Sequence, residues 1–146
     1  MTSPGTNRPP DPASLARAPR ARPVVLVIDD EHSVLMALTR YFRRGGWEVR
    51  QAEDGGQALE LLADPGAPDY QVVITDLRMP GRTGIDVHDW LAAHRPDLFE
   101  RLIIATGDVA SPGIREFIGQ TSRPVLEKPI EHAALAALVR RDTAGG

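Results

Sequence analysis

Five polar side chains follow directly on apolar runs. Asp29 and Asp30 come after "VVLVI" (24–28), Asp76 after "VVIT" (72–75), Thr106 after "LIIA" (102–105) and Lys128 after "PVLE" (124–127). If folding brings them together, three carboxylates share one place. Two like charges about 4 Å apart repel by on the order of 4 kcal/mol at a surface-like effective dielectric, so a positive partner is required. A hard divalent cation with oxygen ligands meets that need. Mg²⁺ in particular is held by one or two carboxylates while keeping waters and a phosphate oxygen. Lys128 would add a point charge suited to phosphoryl oxygens, and Thr106 a hydroxyl donor. An aspartate in such company can act as the nucleophile of phosphoryl transfer and form an aspartyl phosphate, with the surrounding positive charge stabilising the transferring group.

The elements that must position these residues are legible in the pattern. The apolar runs are dense in Val and Ile rather than alternating, the mark of strands covered on both faces. A weaker run, "WEVRQA", lies between the first two. Helical periodicity fills the intervals. Val34, Leu35, Leu38, Tyr41 and Phe42 form one stripe, closed by Gly45-Gly46. Ala58, Leu59 and Leu62 form a second; Ile85, His88 and Leu91 form a third, ending near Pro96. A short fourth segment runs from Pro112 to about Ile118, and Ala134, Leu135, Leu138 and Val139 mark the last. Strand and helix alternating five times predict a doubly wound α/β domain. In an open parallel sheet all strand carboxyl ends lie along one edge, where ligands bind. Residues scattered over a hundred positions therefore converge on one crevice.

Each piece also has a plainer reading. Acidic residues are common at helix starts, Thr106-Gly107 suits an ordinary turn, and Lys128 before Pro129 suits an exposed loop. Their joint occurrence at successive strand ends is what favours a site. In the turn after Asp76, Gly81 and Gly84 permit tight backbone and Pro80 fixes the exit. The four histidines (His32, His88, His94 and His132) show no ligand spacing and are expected on the surface; Trp47 and Trp90 are expected to be packing residues.

Composition bounds the rest. The 146 residues fit one domain and a modest tail, and no cysteine is present. No apolar run near the start approaches the ~20 residues of a membrane span. A cytoplasmic location and no membrane contact are expected. The net charge of −3 is uneven: residues 1–22 carry +3, from Arg8, Arg17, Arg20 and Arg22 against Asp11, so the remainder carries −6. So acidic a domain is not expected to bind nucleic acid directly. Residues 1–22, rich in Pro and Arg and without periodicity, are expected to be a disordered leader or linker, with the folded domain over 23–143.

"VLVIDDE", "VVITDLRMPGRTGID", "LIIATGD" and "VLEKPI" together resemble the response-regulator receiver domain of two-component signalling, over about residues 23–141. Asp76 to Thr106 spans 30 positions and Thr106 to Lys128 spans 22, a family-like spacing. The resemblance implies a flavodoxin-like fold: a five-stranded parallel sheet of order 2-1-3-4-5 with five helices. It implies Asp76 as phosphoacceptor, Asp29 and Asp30 as the Mg²⁺-binding pair, and the Arg78 backbone carbonyl completing the metal's coordination together with Asp76. Thr106 matches the switch hydroxyl and Lys128 the phosphate-contacting lysine. The donor would be a phosphohistidine on a histidine kinase or histidine phosphotransfer domain, and the output an unidentified protein target. The chain would then be a signalling phosphoacceptor rather than a turnover enzyme, gaining phosphate from small donors and losing it by its own chemistry.

One departure is informative. Many receivers carry Tyr or Phe three residues before the lysine, and here that residue is Val125. Activation is therefore expected to work through Thr106 and the neighbouring loop and helix. Arg78 and Asp108 lie two residues after the acceptor and the switch hydroxyl, positions that in the family overlook the path of attacking water; a contact between them is expected to shield the phosphate and modulate its lifetime. Two readings of context compete: a stand-alone receiver, and one excised from a hybrid histidine kinase, whose C-terminal receivers the 106–130 segment resembles. A different class, a Mg²⁺-dependent phosphatase with an Asp nucleophile, would need a second Asp at position 78. A flavin host would be coloured.

Overall fold

The computed structural model describes residues 22–79 and 81–145. The expected leader, Arg22 apart, and Pro80 lie outside the described residues. Five strands, β1 (Val24–Ile28), β2 (Glu48–Ala52), β3 (Tyr70–Thr75), β4 (Leu102–Thr106) and β5 (Val125–Glu127), form one sheet of order β2-β1-β3-β4-β5. Every pairing is parallel. The helices are α1 (His32–Arg44), α2 (Gly55–Ala63), α3 (Gly84–His94), α4 (Pro96–Phe99), α5 (Pro112–Gln120) and α6 (His132–Gly145).

Two apolar layers explain why the central strands are largely hydrophobic. On one face Leu26, Ile28 and Val73 pack with Ala58 and Leu62 of α2 and Val87 and Leu91 of α3. On the other, Val25, Val27 and Ile74 pack with Leu35, Leu38 and Phe42 of α1 and Leu135 of α6. Successive β1 residues point to opposite layers, so every position in the strand is buried. The edge strands differ. In β2 only Val49 and Ala52 are buried, and no β5 residue is fully buried.

Six helices are found among the described residues, one more than the periodicity predicted. Pro96 does end α3, but it also occupies the first position of the one-turn α4, where a missing N–H has no consequence. Helix α3 starts with a reciprocal capping box between Thr83 and Asp86. At the end of α1, Arg43 and Arg44 complement the helix dipole. Gly46 then takes φ +87°, as anticipated for the Gly45-Gly46 stop.

Candidate functional site

The sheet ladder delivers the site. Beyond the last residue of β1, the Asp29 N–H still donates to Ala52 (3.1 Å), and the Asp76 N–H donates to the Ile28 carbonyl (3.0 Å). Across the other strands the Lys128 N–H donates to Thr106 (2.9 Å). Main-chain register alone therefore sets Asp29 beside Asp76, and Lys128 beside Thr106. The backbone carbonyl of Asp76 also constrains the start of the next helix. A Cβ on Gly84 would stand 1.7 Å from that oxygen, so α3 can begin here only from glycine. Gly81 takes φ +70° in the same turn.

Asp29, Asp30 and Asp76 each bring a carboxylate oxygen to within 4.8 Å of the others'. Asp29 and Asp76 are buried and Asp30 is exposed, so the cluster opens to solvent on one side. Lys128 enters from the β5 end. Its Nζ lies 2.7 Å from Asp29 Oδ2, 3.1 Å from Asp76 Oδ2 and 3.1 Å from Glu31 Oε1. The remaining oxygens are held by main chain: Asp29 Oδ1 accepts from Glu31 N–H (2.9 Å), and Asp76 Oδ1 from Leu77 N–H (2.7 Å). Burial pushes the Asp29 carboxyl above its usual range despite the hydrogen bond from Lys128. For Lys128, burial opposes the charged form, but the bonds and charges of Asp29 and Asp76 outweigh it and its pKa is raised. The ammonium is thus firmly charged, and hard oxygen donors around a partly desolvated carboxylate suit a small divalent cation.

Thr106 is buried, and its hydroxyl is engaged with its own loop. Oγ1 accepts from Asp108 N–H (3.1 Å) and donates to the Asp108 carbonyl (3.3 Å). Arg78 and Asp108, paired on sequence grounds, do meet: Arg78 Nε lies 2.7 Å from Asp108 Oδ2. The hydrogen bond from Ser111 Oγ (2.6 Å) and main-chain donors at Ser111 and Ala110 hold the Asp108 carboxyl down to about 2. Val125, half-buried on β5, packs against the buried cluster of Leu77, Ile104 and Ile114, which Ile85, Phe117 and Ile118 also flank.

Sequence reasoning gave no role to Glu31 or Ser111. Glu31 comes directly after the acidic pair, a signal that was there to use. Ser111 is sequentially remote from Arg78, and only the approach of two loops joins them. His88 corrects the surface expectation. Its side chain is 12% exposed, lies edge-on between Phe99 and Phe117, and contacts Thr121 Oγ1 (2.9 Å). The helical stripe Ile85–His88–Leu91 pointed inward, and the polar atoms of His88 are satisfied there. His32, His94 and His132 are exposed. Trp47 packs edge-on against Phe42, and Trp90 stacks on His94. No helix among the described residues is long and apolar enough to cross a membrane.

A doubly wound parallel sheet, with an acidic cluster and a charged lysine at its carboxyl edge, defines an α/β domain with a candidate ligand site at the strand ends. Residues 25–140 match the family model "Response regulator receiver domain", and the chain belongs to that family. It is a receiver domain of two-component signalling, and its aspartate cluster fits a phosphoacceptor site. It is similar to the sensory/regulatory protein RpfC of Xanthomonas campestris pv. campestris, at 30% identity over 113 residues. That match covers 76% of this chain and 15% of RpfC. It is similar also to the transcriptional regulatory protein FixJ of Azorhizobium caulinodans, at 32% identity over 117 residues, covering 80% of this chain and 53% of FixJ. The chain thus spans about half or less of either relative. The fold matches that of a Thermotoga maritima response regulator solved in complex with Mg²⁺ and beryllium fluoride. The TM-score is 0.68 at 24% identity, over 82% of this chain and 98% of that one.

Proposed function

We propose that Asp76 accepts a phosphoryl group from a phosphohistidine of a histidine kinase or histidine phosphotransfer domain, and that the resulting change around Thr106 and α5 is read by a partner protein. The observation carrying this is the setting of Asp76 Oδ2, 3.1 Å from the Lys128 ammonium and within the Asp29–Asp30 cluster. In the transfer, the P–N bond of the donor breaks and a P–O bond to an Asp76 carboxylate oxygen forms. The imidazole leaves with the electron pair of the broken bond and takes a proton from solvent. Lys128 would follow the charge onto the phosphoryl oxygens, because its Nζ already spans Asp29 and Asp76.

Asp29, Asp30, Asp76 and the Arg78 carbonyl would hold Mg²⁺. The ion, when bound, supplies positive charge against the phosphoryl oxygens. Its residence is supported by the donor chemistry of the cluster, and the related Thermotoga protein was solved with Mg²⁺ and beryllium fluoride. The Thr106 hydroxyl would leave Asp108 for the phosphoryl group and draw the 107–111 turn with it. Val125 offers no ring to flip, so loop and helix carry the change. Arg78, laid against Asp108, would screen the acyl phosphate from water. Gain of phosphate from small donors and its slow hydrolysis would both be properties of this site, without turnover of a separate substrate.

The match to only 15% of the sensory/regulatory protein RpfC supports a second context, a receiver that is one part of a longer protein, as an internal relay or phosphate sink of a hybrid histidine kinase would be. The phosphatase alternative is disfavoured by Arg78 at the position its acid/base aspartate requires. The deciding experiment is Mg²⁺-dependent labelling with acetyl phosphate. Label is expected on the wild type and absent from Asp76→Asn; label persisting in the variant refutes the assignment.

A further inference from the structure

Ser111 is the N-cap of α5, yet its hydroxyl accepts nothing from the helix's first turn. The helix has nonetheless begun there, because Arg115 N–H donates to the Ser111 carbonyl (2.8 Å). The hydroxyl is used elsewhere. It donates to Asp108 Oδ2 at 2.6 Å and accepts from an Arg78 terminal nitrogen at 3.2 Å. Arg78 in turn reaches Asp108 Oδ2 through Nε (2.7 Å). One serine thus joins the loop after Asp76 to the loop after Thr106 and to the start of α5.

We infer that Ser111 is a two-position switch residue, latching Arg78 and Asp108 in the unphosphorylated domain and capping α5 once Asp76 carries a phosphoryl group. The inference rests on the phosphoacceptor reading of Asp76. A bond from a hydroxyl to an ionised carboxylate at this distance is stronger than a cap bond to a neutral N–H, so the latch prevails at rest. Both of its anchors depend on the resting loop. The Asp108 main chain is held at N–H and carbonyl by the Thr106 hydroxyl. When that hydroxyl turns to the phosphoryl group, both bonds are lost and the 107–111 turn must re-form. The new phosphoryl oxygens, two residues before Arg78, also compete for its guanidinium. Ser111 Oγ is then released beside an uncapped helix end. Pro112 has no N–H, so the donors within its reach are those of Gly113 and Ile114, the positions an N-cap serine serves. Such a device couples acceptor to helix through an element with two discrete arrangements, which a domain lacking the aromatic at Val125 requires.

The test is amide hydrogen exchange by NMR on the full chain, without ligand and then with Mg²⁺ and beryllofluoride. Protection of Gly113 or Ile114 is expected to rise about fivefold in the wild type, the equivalent of a cap bond of ~1 kcal/mol. It should stay flat in Ser111→Ala and return in Ser111→Thr. An equal rise in wild type and Ser111→Ala overturns the inference, as does a wild type whose 106–111 resonances shift with no added protection. Acetyl phosphate labelling of the same samples separates the two levels. Asp76-dependent label without any Ser111 effect refutes the switch alone. No Asp76-dependent label in any sample refutes the phosphoacceptor reading and the switch with it.

Discussion

Replacing Lys128 with Met keeps most of the side-chain length and removes the ammonium that contacts Asp29, Asp76 and Glu31. The 2.7 and 3.1 Å contacts to Asp29 and Asp76 correspond to gross attractions of about 6 and 5 kcal/mol at an effective dielectric of 20. Dehydration of the ammonium and carboxylates offsets most of this. Removing one partner of a buried pair costs about 3–5 kcal/mol, because the other charge is left uncompensated. Here the crevice is open at Asp30 and the Glu31 side chain is 59% exposed, so solvent screening brings the expected loss to the bottom of that range or just below it, about 2–3 kcal/mol. For a domain of about 120 residues that lowers Tm by roughly 8–12 °C. Its pH signature is set by the direction of the shift. The folded pKa of Lys128 is raised, so the wild type keeps this stabilisation below the ordinary lysine pKa of 10.5 and loses it only as pH rises through the folded value. The variant's deficit should shrink when pH falls through the raised pKa of the buried Asp29 carboxyl. Mg²⁺ should also raise the variant's Tm more than the wild type's, since the ion substitutes for the missing charge. Thermal denaturation in EDTA and in MgCl₂ at pH 7 measures both. A Tm within 1 °C of wild type in EDTA would refute the view that Lys128 holds the acidic cluster together.

Three further outcomes are expected. Gly84→Ala should cost at least about 3 kcal/mol in chemical denaturation, because its Cβ would meet the Asp76 carbonyl oxygen at 1.7 Å and one of two backbone segments must move. Arg78→Ala should shorten the aspartyl-phosphate half-life measurably but by no more than about fivefold, the ceiling for so exposed an ion pair; equal decay rates would remove its proposed shielding role. Asp108 should titrate near 2 by carboxyl NMR, with Ser111→Ala returning it toward 3.8. Since its folded pKa is depressed, its contribution to stability is present above pH 3.8 and is lost as pH falls through about 2.

Most of the architecture could be read from the chain, because the central strands are covered on both faces and are apolar along most of their length. Val24–Ile28 and Leu102–Thr106 announce themselves in this way. The edge strands were fainter for the same reason: β2 alternates irregularly and β5 has only three residues, none fully buried. The extra turn of α4 was hidden because proline both stops one helix and starts another. The convergence of the candidate site residues was equally legible. Parallel strands place Asp29, Asp30, Asp76, Thr106 and Lys128 on a common edge, so their order along the chain determines their meeting in space. What only the tertiary structure decided depends on loops and rotamers. Glu31 bends back to Lys128, His88 turns inward to Thr121, and the Thr106 hydroxyl bonds its own loop. Ser111 and Arg78 lie 33 residues apart and touch because two loops converge above the sheet. Strand register repeats along the sequence and can be counted. Contacts between loops depend on how each connection closes, and no local pattern records that.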